Sequence, residues 1–353
     1  MVKVPAVKMI SLCWLLVFLL HPGWGQAMGA QGEEFFKGKT LRIIIGTGTG
    51  GGVDLYTRVI AQHLPKHLPG QPNIIVQNMP GASSLVAANY VYNIAKPDGL
   101  TLGALQAGVY FSQILGRDNV KFDWSKFTWI GTPHTLEAQL YMRSDTPYKT
   151  LEDIRNAAEP PRCGGAGTGA TGYYVPKIIE ETLGLKFQHV TGYKSGAEID
   201  LAVERGELHC RAFDIGSFLG REPTRSWYKN GFVHSLIQTG QTRDERLPNV
   251  PTLYELMDKQ KTPEPARRMA KAVLSAGRFG RPMVAPPRVS PEITRIIREA
   301  YASTMKDPEF VAETKKRRYD LEPVSGEEMD KMADEVINQP PDVVQRVKKL
   351  LAN

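Results

Sequence analysis

Cysteine is scarce in this chain, with three in 353 residues, and that excludes a scaffold built on disulfides. Cys13 lies in an N-terminal apolar run. Cys163 and Cys210 have no histidines at ligand spacing, which excludes a zinc site built on them. His63 and His67 are four apart, but Pro65 stands between them and no acidic third ligand is near in sequence, so both read as surface residues. Long apolar runs are missing after Leu20, so no later stretch is a candidate for a bilayer span. A strong charge of one sign is missing too: 44 Lys and Arg stand against 37 Asp and Glu. The one basic run, Lys315 to Arg318, falls in a helical pattern beside Glu309 and Glu313. It reads as a solvated helix face, which argues against nucleic acid as a partner. No catalytic constellation is visible. Ser83, Ser84, Ser195 and Ser217 lack a nucleophile-elbow sequence, and His134, His189, His209 and His234 are isolated.

What is present begins with an export signal. Lys3 and Lys8 form a positive n-region, and Met9 to Leu20 is an apolar run too short to span a bilayer. Gly25 and Ala27 place cleavage after Ala27, so residues 1–27 are expected to leave a soluble exported protein. The remaining length favours two domains.

Two glycine-rich loops dominate that remainder. The first runs from Arg42 to Asp54 (RIIIGTGTGGGVD) and the second from Pro161 to Gly172 (PRCGGAGTGATG). Each follows an apolar strand and precedes a helical pattern. The first N–H groups of such a helix are unpaired, glycines let a ligand approach them, and the helix dipole favours negative charge there. Around these loops the chain alternates strand and helix. Strands are expected at 41–45, 73–76, 101–105, 139–143, 187–190, 208–213 and 233–238. Helices are expected at 53–64, from Ser83 or Ser84 to Ile94, at 151–157, 174–183, 197–205 and 291–305, and mostly helix after residue 252. The pattern predicts parallel sheets with helices on both faces, in two domains that share one cleft. The chain leaves the first domain, builds the second and returns: 33–137 plus 239–353, and 138–238. Cys163 and Cys210 fall on strands of the second domain that can be neighbours, which leaves open a disulfide or two small buried residues.

Gly46, Gly48 and Gly51 satisfy the dinucleotide fingerprint G-x-G-x-x-G. The second strand ends Val76-Gln77-Asn78, however, without the acidic residue that would hold a ribose. No Gly-Lys-Ser/Thr follows either loop, which excludes a P-loop there. No cofactor is expected.

The order and spacing of several short motifs resemble the Bug-type extracytoplasmic solute receptors, the binding components of tripartite tricarboxylate transporters. The likeness covers nearly the whole mature chain. Gly50, Gly51 and Asp54 match the family's first loop after Gly38-Lys39-Thr40-Leu41-Arg42. Asn78, Pro80, Gly81 and Ala82 match E-N-R-P-G-A-G, and Pro97, Asp98, Gly99, Thr101 and Leu102 match P-D-G-Y-T-L. Gly167, Thr168 and Gly169 approximate G-x-G-S, and Tyr193 to Ala197 match Y-K-G-G-A. Arg243, Leu247, Pro248, Val250, Pro251, Thr252 and Glu255 match R-x-x-x-L-P-D-V-P-T-x-x-E. The chain departs from the pattern at Gly46 and Thr47, where the family has proline and an aromatic, at Ala170 in place of serine, and over 256–277, which is longer and more charged.

The resemblance implies two doubly wound α/β domains around a ligand cleft, of the periplasmic-binding-protein type II or Venus-flytrap architecture. It implies a monomeric periplasmic receptor, not an enzyme, that captures a small carboxylate and delivers it to a membrane permease. The ligand carboxylate would be held by Thr47, Gly48, Thr49, Gly50 and Gly51 from one domain and by Gly167, Thr168, Gly169 and Ala170 from the other. Asp54 would fix the loop or a water, and Tyr193 and Asp214 would read the distal end of the ligand. Two other readings remain at this point: an exported α/β enzyme acting on a carboxylated substrate, and an orphan sensor without a permease.

Overall fold

The computed structural model describes residues 35–352. The export signal expected at 1–27 lies outside the described residues. In chain order the main elements are β1 (Thr40–Ile45), α1 (Gly52–His63), β2 (Asn73–Asn78), α2 (Leu85–Asn93), β3 (Thr101–Ala104), α3 (Phe111–Ile114), β4 (Thr128–Thr132), β5 (Ala138–Arg143), α4 (Leu151–Asn156), β6 (Arg162–Gly164), α5 (Thr171–Leu183), β7 (Gln188–Val190), α6 (Gly196–Glu204) and β8 (Cys210–Asp214). There follow α7 (Ile215–Gly220), α8 (Thr224–Lys229), β9 (Val233–Gln238), α9 (Leu253–Lys259), α10 (Glu264–Leu274), β10 (Met283–Ala285), α11 (Pro291–Lys306), α12 (Pro308–Arg317), β11 (Val324–Ser325), α13 (Gly326–Ile337) and α14 (Pro341–Leu351).

Two mixed sheets organise the chain. The first has the order β11-β4-β10-β3-β1-β2, and the second β7-β6-β8-β5-β9. β1 pairs in parallel with both β2 and β3, setting Ile43 beside Val76 and Leu102. Its run of isoleucines suits a strand covered on both faces: Ile43 and Ile45 join one apolar cluster with α1 and α11, and Ile44 joins another with α2. In the second sheet β6 is parallel to β7 and β8, while β5 runs antiparallel to β8 and β9.

The expectation of parallel sheets therefore holds for β1, β2 and β3 of the first sheet and for β6, β7 and β8 of the second, and needs correction for the other strands. β10 lies antiparallel between β3 and β4. It arrives late in the chain, within a stretch expected to be mostly helix. Met283-Val284-Ala285 is too short to show alternation, and Pro282 and Pro286 flank it.

The charged stretch 256–277 includes α10, which buries Met269, Ala270 and Val273. α10 and α14 pack against α5, so helices late in the chain cover the second sheet's side of the molecule. Cys163 and Cys210 are register partners on β6 and β8, and both are buried free thiols.

His63 and His67 are not simple surface residues. α12 brings acids to them from far along the chain: His63 Nε2 lies 2.8 Å from Glu313, and His67 Nε2 2.8 Å from Asp307. Among the described residues His63, Asp307 and Glu309 have metal-like spacing, but Lys66 Nζ bonds both Asp307 and Glu309 and already supplies a cation.

Candidate ligand-binding site

Both glycine loops do what strand-to-helix turns allow. Gly51 is the N-cap of α1 and Ala170 the N-cap of α5, and neither gives a side-chain cap. α6, by contrast, is capped by the Ser195 hydroxyl. The first turns of α1 and α5 thus present backbone N–H groups that their own helices cannot use. Gly51, Gly52 and Val53 from one helix start, and Ala170, Thr171 and Gly172 from the other, line a single cavity of about 110 Å³. That exceeds the roughly 10–15 Å³ needed per enclosed water several times over. Thr47 also lines it, with a buried hydroxyl that has no hydrogen-bond partner among the described residues.

The unit built on the first sheet and the unit built on the second meet at this cavity. Gly48 N–H donates to the Lys194 carbonyl at 2.8 Å. A Cβ on Gly51 would come 3.2 Å from Gly196 N, and one on Gly169 would come 2.9 Å from the Gly108 carbonyl oxygen. Glycine is needed at Gly169 because backbone approaches backbone, whereas at Gly51 an added side chain would fit only if Gly196 gives by a few tenths of an ångström.

Of the expected site residues, Thr47, Gly51, Gly169, Ala170 and Asp214 are in the cavity wall. The others have different places. Asp54 accepts from Gly50 N–H, Arg58 Nε and Asn78 Nδ2, so it braces the first loop from behind. Burial pushes its carboxyl up, but Arg58, Asn78 and Gly50 outweigh that and hold it below its ordinary value. Gly48 and Gly50 contact the second unit at Lys194 and Ala197, and Thr49 is exposed. Gly167 packs on Ser83, and Thr168 Oγ1 accepts from Arg117 at 2.7 Å. Tyr193 packs against the apolar cluster of α6 and β8 and is outside the cavity wall.

Asp214 does not meet the cavity as a free carboxylate. Arg281 Nη2 donates to it at 2.9 Å and to Ser217 Oγ at 2.7 Å. The guanidinium lies over Tyr56, 4.1 Å from the ring centroid. Burial pushes Asp214 up, but Arg281 and the Ser217 contacts outweigh it and hold the carboxyl at about 2. Arg281 also bonds His134 Nε2. Burial first, and the arginine second, hold that imidazole down at about 4. His134 Nδ1 lies 2.6 Å from the Thr135 carbonyl. The neutral ring therefore donates from Nδ1 and accepts at Nε2, which leaves neither nitrogen to act as base toward a serine.

Sequence reasoning missed the arginines of this wall. Arg211 and Arg221 both line the cavity and share Asp200, one on each carboxylate oxygen. A charged residue inside the apolar strand Leu208 to Phe213 was the available signal for Arg211. Arg281, alone between Gly280 and Pro282, gave none.

Comparison with known proteins bears on the family and the fold. The model of the tripartite tricarboxylate transporter family receptor matches residues 56–349. A UPF0065 protein of Cupriavidus necator, described as lying in a gbd 5′ region, is 26% identical over 334 residues, covering 91% of each chain. The periplasmic binding protein BugD superposes with a TM-score of 0.69 at 18% identity, covering 88% of this chain and 97% of that one. MatC of Rhodopseudomonas palustris with bound malate superposes with a TM-score of 0.67 at 17% identity, covering 89% and 99%. The likeness to these two structures is one of fold, and with the family match across most of the sequence it settles the classification: the chain belongs to the receptor family of the tripartite tricarboxylate transporters.

Proposed function

We propose that this protein is an exported receptor that captures a small carboxylate between its two domains and hands it to a membrane permease. The observation that carries the reading is the convergence of two helix starts without side-chain caps, α1 and α5, on one cavity beside the unpaired Thr47 hydroxyl. A carboxylate satisfies amides and a hydroxyl together, and the two helix dipoles favour its charge. Anion capture by amides, without a lone buried lysine, leaves the ligand able to dissociate again. MatC, with malate bound, shows that this fold takes a carboxylate.

In this reading residues 1–27 direct export to the periplasm, and 33–137 plus 239–353 closes on 138–238 around the ligand. Asp54, Thr168 and Tyr193 act from outside the wall, holding the loops that make it.

The test is a thermal-shift panel on the mature protein: mono-, di- and aromatic carboxylates, with NAD and phosphate esters as controls. A ligand that binds only the folded state raises the melting temperature. A carboxylate that does so and is recovered unchanged supports the receptor. Gly51→Val should remove the shift. Gly51 has φ −84°, which valine adopts freely, and the side chain would crowd the Gly196 backbone; a parent-like melting temperature without ligand checks that the variant is folded. A shift confined to nucleotides, or Gly51→Val binding like the parent, would sink the reading.

A further inference from the structure

We propose that Arg211 and Arg221 form a second anion subsite in the cleft, so that the ligand of this receptor carries two carboxylates. The inference rests on the receptor reading above and adds the ligand's distal end to it. Asp200, on α6, is 2% exposed and has both oxygens engaged, one by each arginine. Two guanidiniums and one carboxylate leave a formal surplus of one positive charge. Both side chains are only 9% exposed. The other charged residues of the cavity wall, Arg281 and Asp214, pair with each other and offer no compensation. A buried charge without a partner is costly, and an anion entering the cavity would supply the partner.

Two further observations point the same way. The Nε groups of Arg211 and Arg221 are buried and have no hydrogen-bond partner among the described residues, so each guanidinium retains an unused donor. Arg211 Nη2 also sits at the start of α6, 2.8 Å from where a Cβ on Gly196 would be. A cation there opposes the positive end of the helix dipole, and an anion between them would relieve that opposition. Phe213 gives the subsite an apolar floor, with the two guanidinium carbons 4.2 and 5.3 Å from its ring centroid. The amide-lined wall and the arginine-lined wall belong to one cavity. A monocarboxylate can satisfy one of them, whereas a short dicarboxylate satisfies both.

Calorimetric titration of the mature protein with matched pairs tests this: succinate against succinamate, glutarate against glutaramate, adipate against adipamate. Each monoamide keeps length and shape and loses one charge. The diacid of the binding pair should be tighter by at least about tenfold, as charge-assisted bonds exceed neutral ones. In Arg221→Met that ratio should fall toward one. The variant keeps the Arg211–Asp200 pair neutral and intact. Arg221→Lys should retain part of the preference, and it decides the matter if the methionine variant does not fold. A parent protein that binds diacid and monoamide within about threefold overturns the subsite while leaving the receptor standing. So does a folded Arg221→Met with the parental ratio. Failure of every mono- and dicarboxylate to bind the parent overturns both.

Discussion

At the scale of single residues, backbone strain is concentrated beside the site. Ala82, Ser83 and Ser84 have φ of 43°, 53° and 74°, three consecutive non-glycine residues in the left-handed region. Ser84 is held there by its hydroxyl, which donates to the Gly46 carbonyl and accepts from Gln106 N–H, each at 3.0 Å. Ser83 has no such tie: its buried hydroxyl lacks a partner among the described residues. Glycine at this position would remove both the strain and the unpaired hydroxyl, against a smaller entropy gain of the unfolded chain. Ser83→Gly should therefore stabilise the protein by about 1 kcal/mol, read from the shift in urea midpoint at constant slope. A destabilised variant would show that the serine has a role the strain argument omits. His134 supports a second residue-scale prediction. The unfolded ring takes a proton below its ordinary value of 6.5, and the folded ring only near 4. Between those limits the unfolded state binds more protons, so stability falls as pH falls, by about 3 kcal/mol in all. His134→Gln keeps a donor and an acceptor for Thr135 and Arg281 but has no proton to gain. Unfolding free energies of parent and variant at pH 7 and 4.5 should show a smaller loss for the variant. Equal losses would assign the acid sensitivity to other groups.

At the scale of elements, the legible parts were those whose signal is local. β1, α1 and the first loop could be read because an isoleucine strand, a glycine run and a helical period follow one another. β9 was readable at both its ends, Val233 and Gln238. The start of α5 was not. Expected at Tyr174, it begins at Thr171, and that extra turn brings Thr171 and Gly172 into the cavity wall. Gly172 and Pro176 disguise the turn as loop. Glycine is there because a Cβ would stand 2.6 Å from the Gly164 carbonyl oxygen, a tertiary demand invisible in a helical pattern. The departure at Gly46 has a similar cause. A Cβ there would come 2.4 Å from Ser84 Oγ, so the serine that ties the loops together leaves no room for a larger residue. The arginine wall was illegible for a different reason. Its members come from β8, the end of α7 and the approach to β10, and only the assembled fold brings Asp200 and Asp214 to them.

At the scale of the whole molecule, three polar contacts that join the two units lie at residues of the glycine loops or the cavity wall, where a ligand must part them to enter. Gly48 N–H to Lys194, Arg117 to Thr168, and buried Arg281 to Asp214 all bridge the first sheet's unit and the second's. The last is the costliest to break, because opening must either rehydrate both charges or leave one buried. Opposing a wide opening, α14 packs against both α3 in the first unit and α5 in the second. Entry of ligand therefore calls for a modest opening near the glycine loops, with the C-terminal helices still in place. A ligand that bridges both walls binds the closed form more tightly and shifts the population toward it by that difference in affinity. Small-angle scattering of the mature protein should show a radius of gyration that falls slightly on adding a binding carboxylate. Hydrogen exchange should slow at Gly48 and around Gly169, and remain unchanged along α10 and α14. If the C-terminal helices gain protection instead, closure runs through them, and the division of the chain at residues 138 and 238 is not the mechanical one.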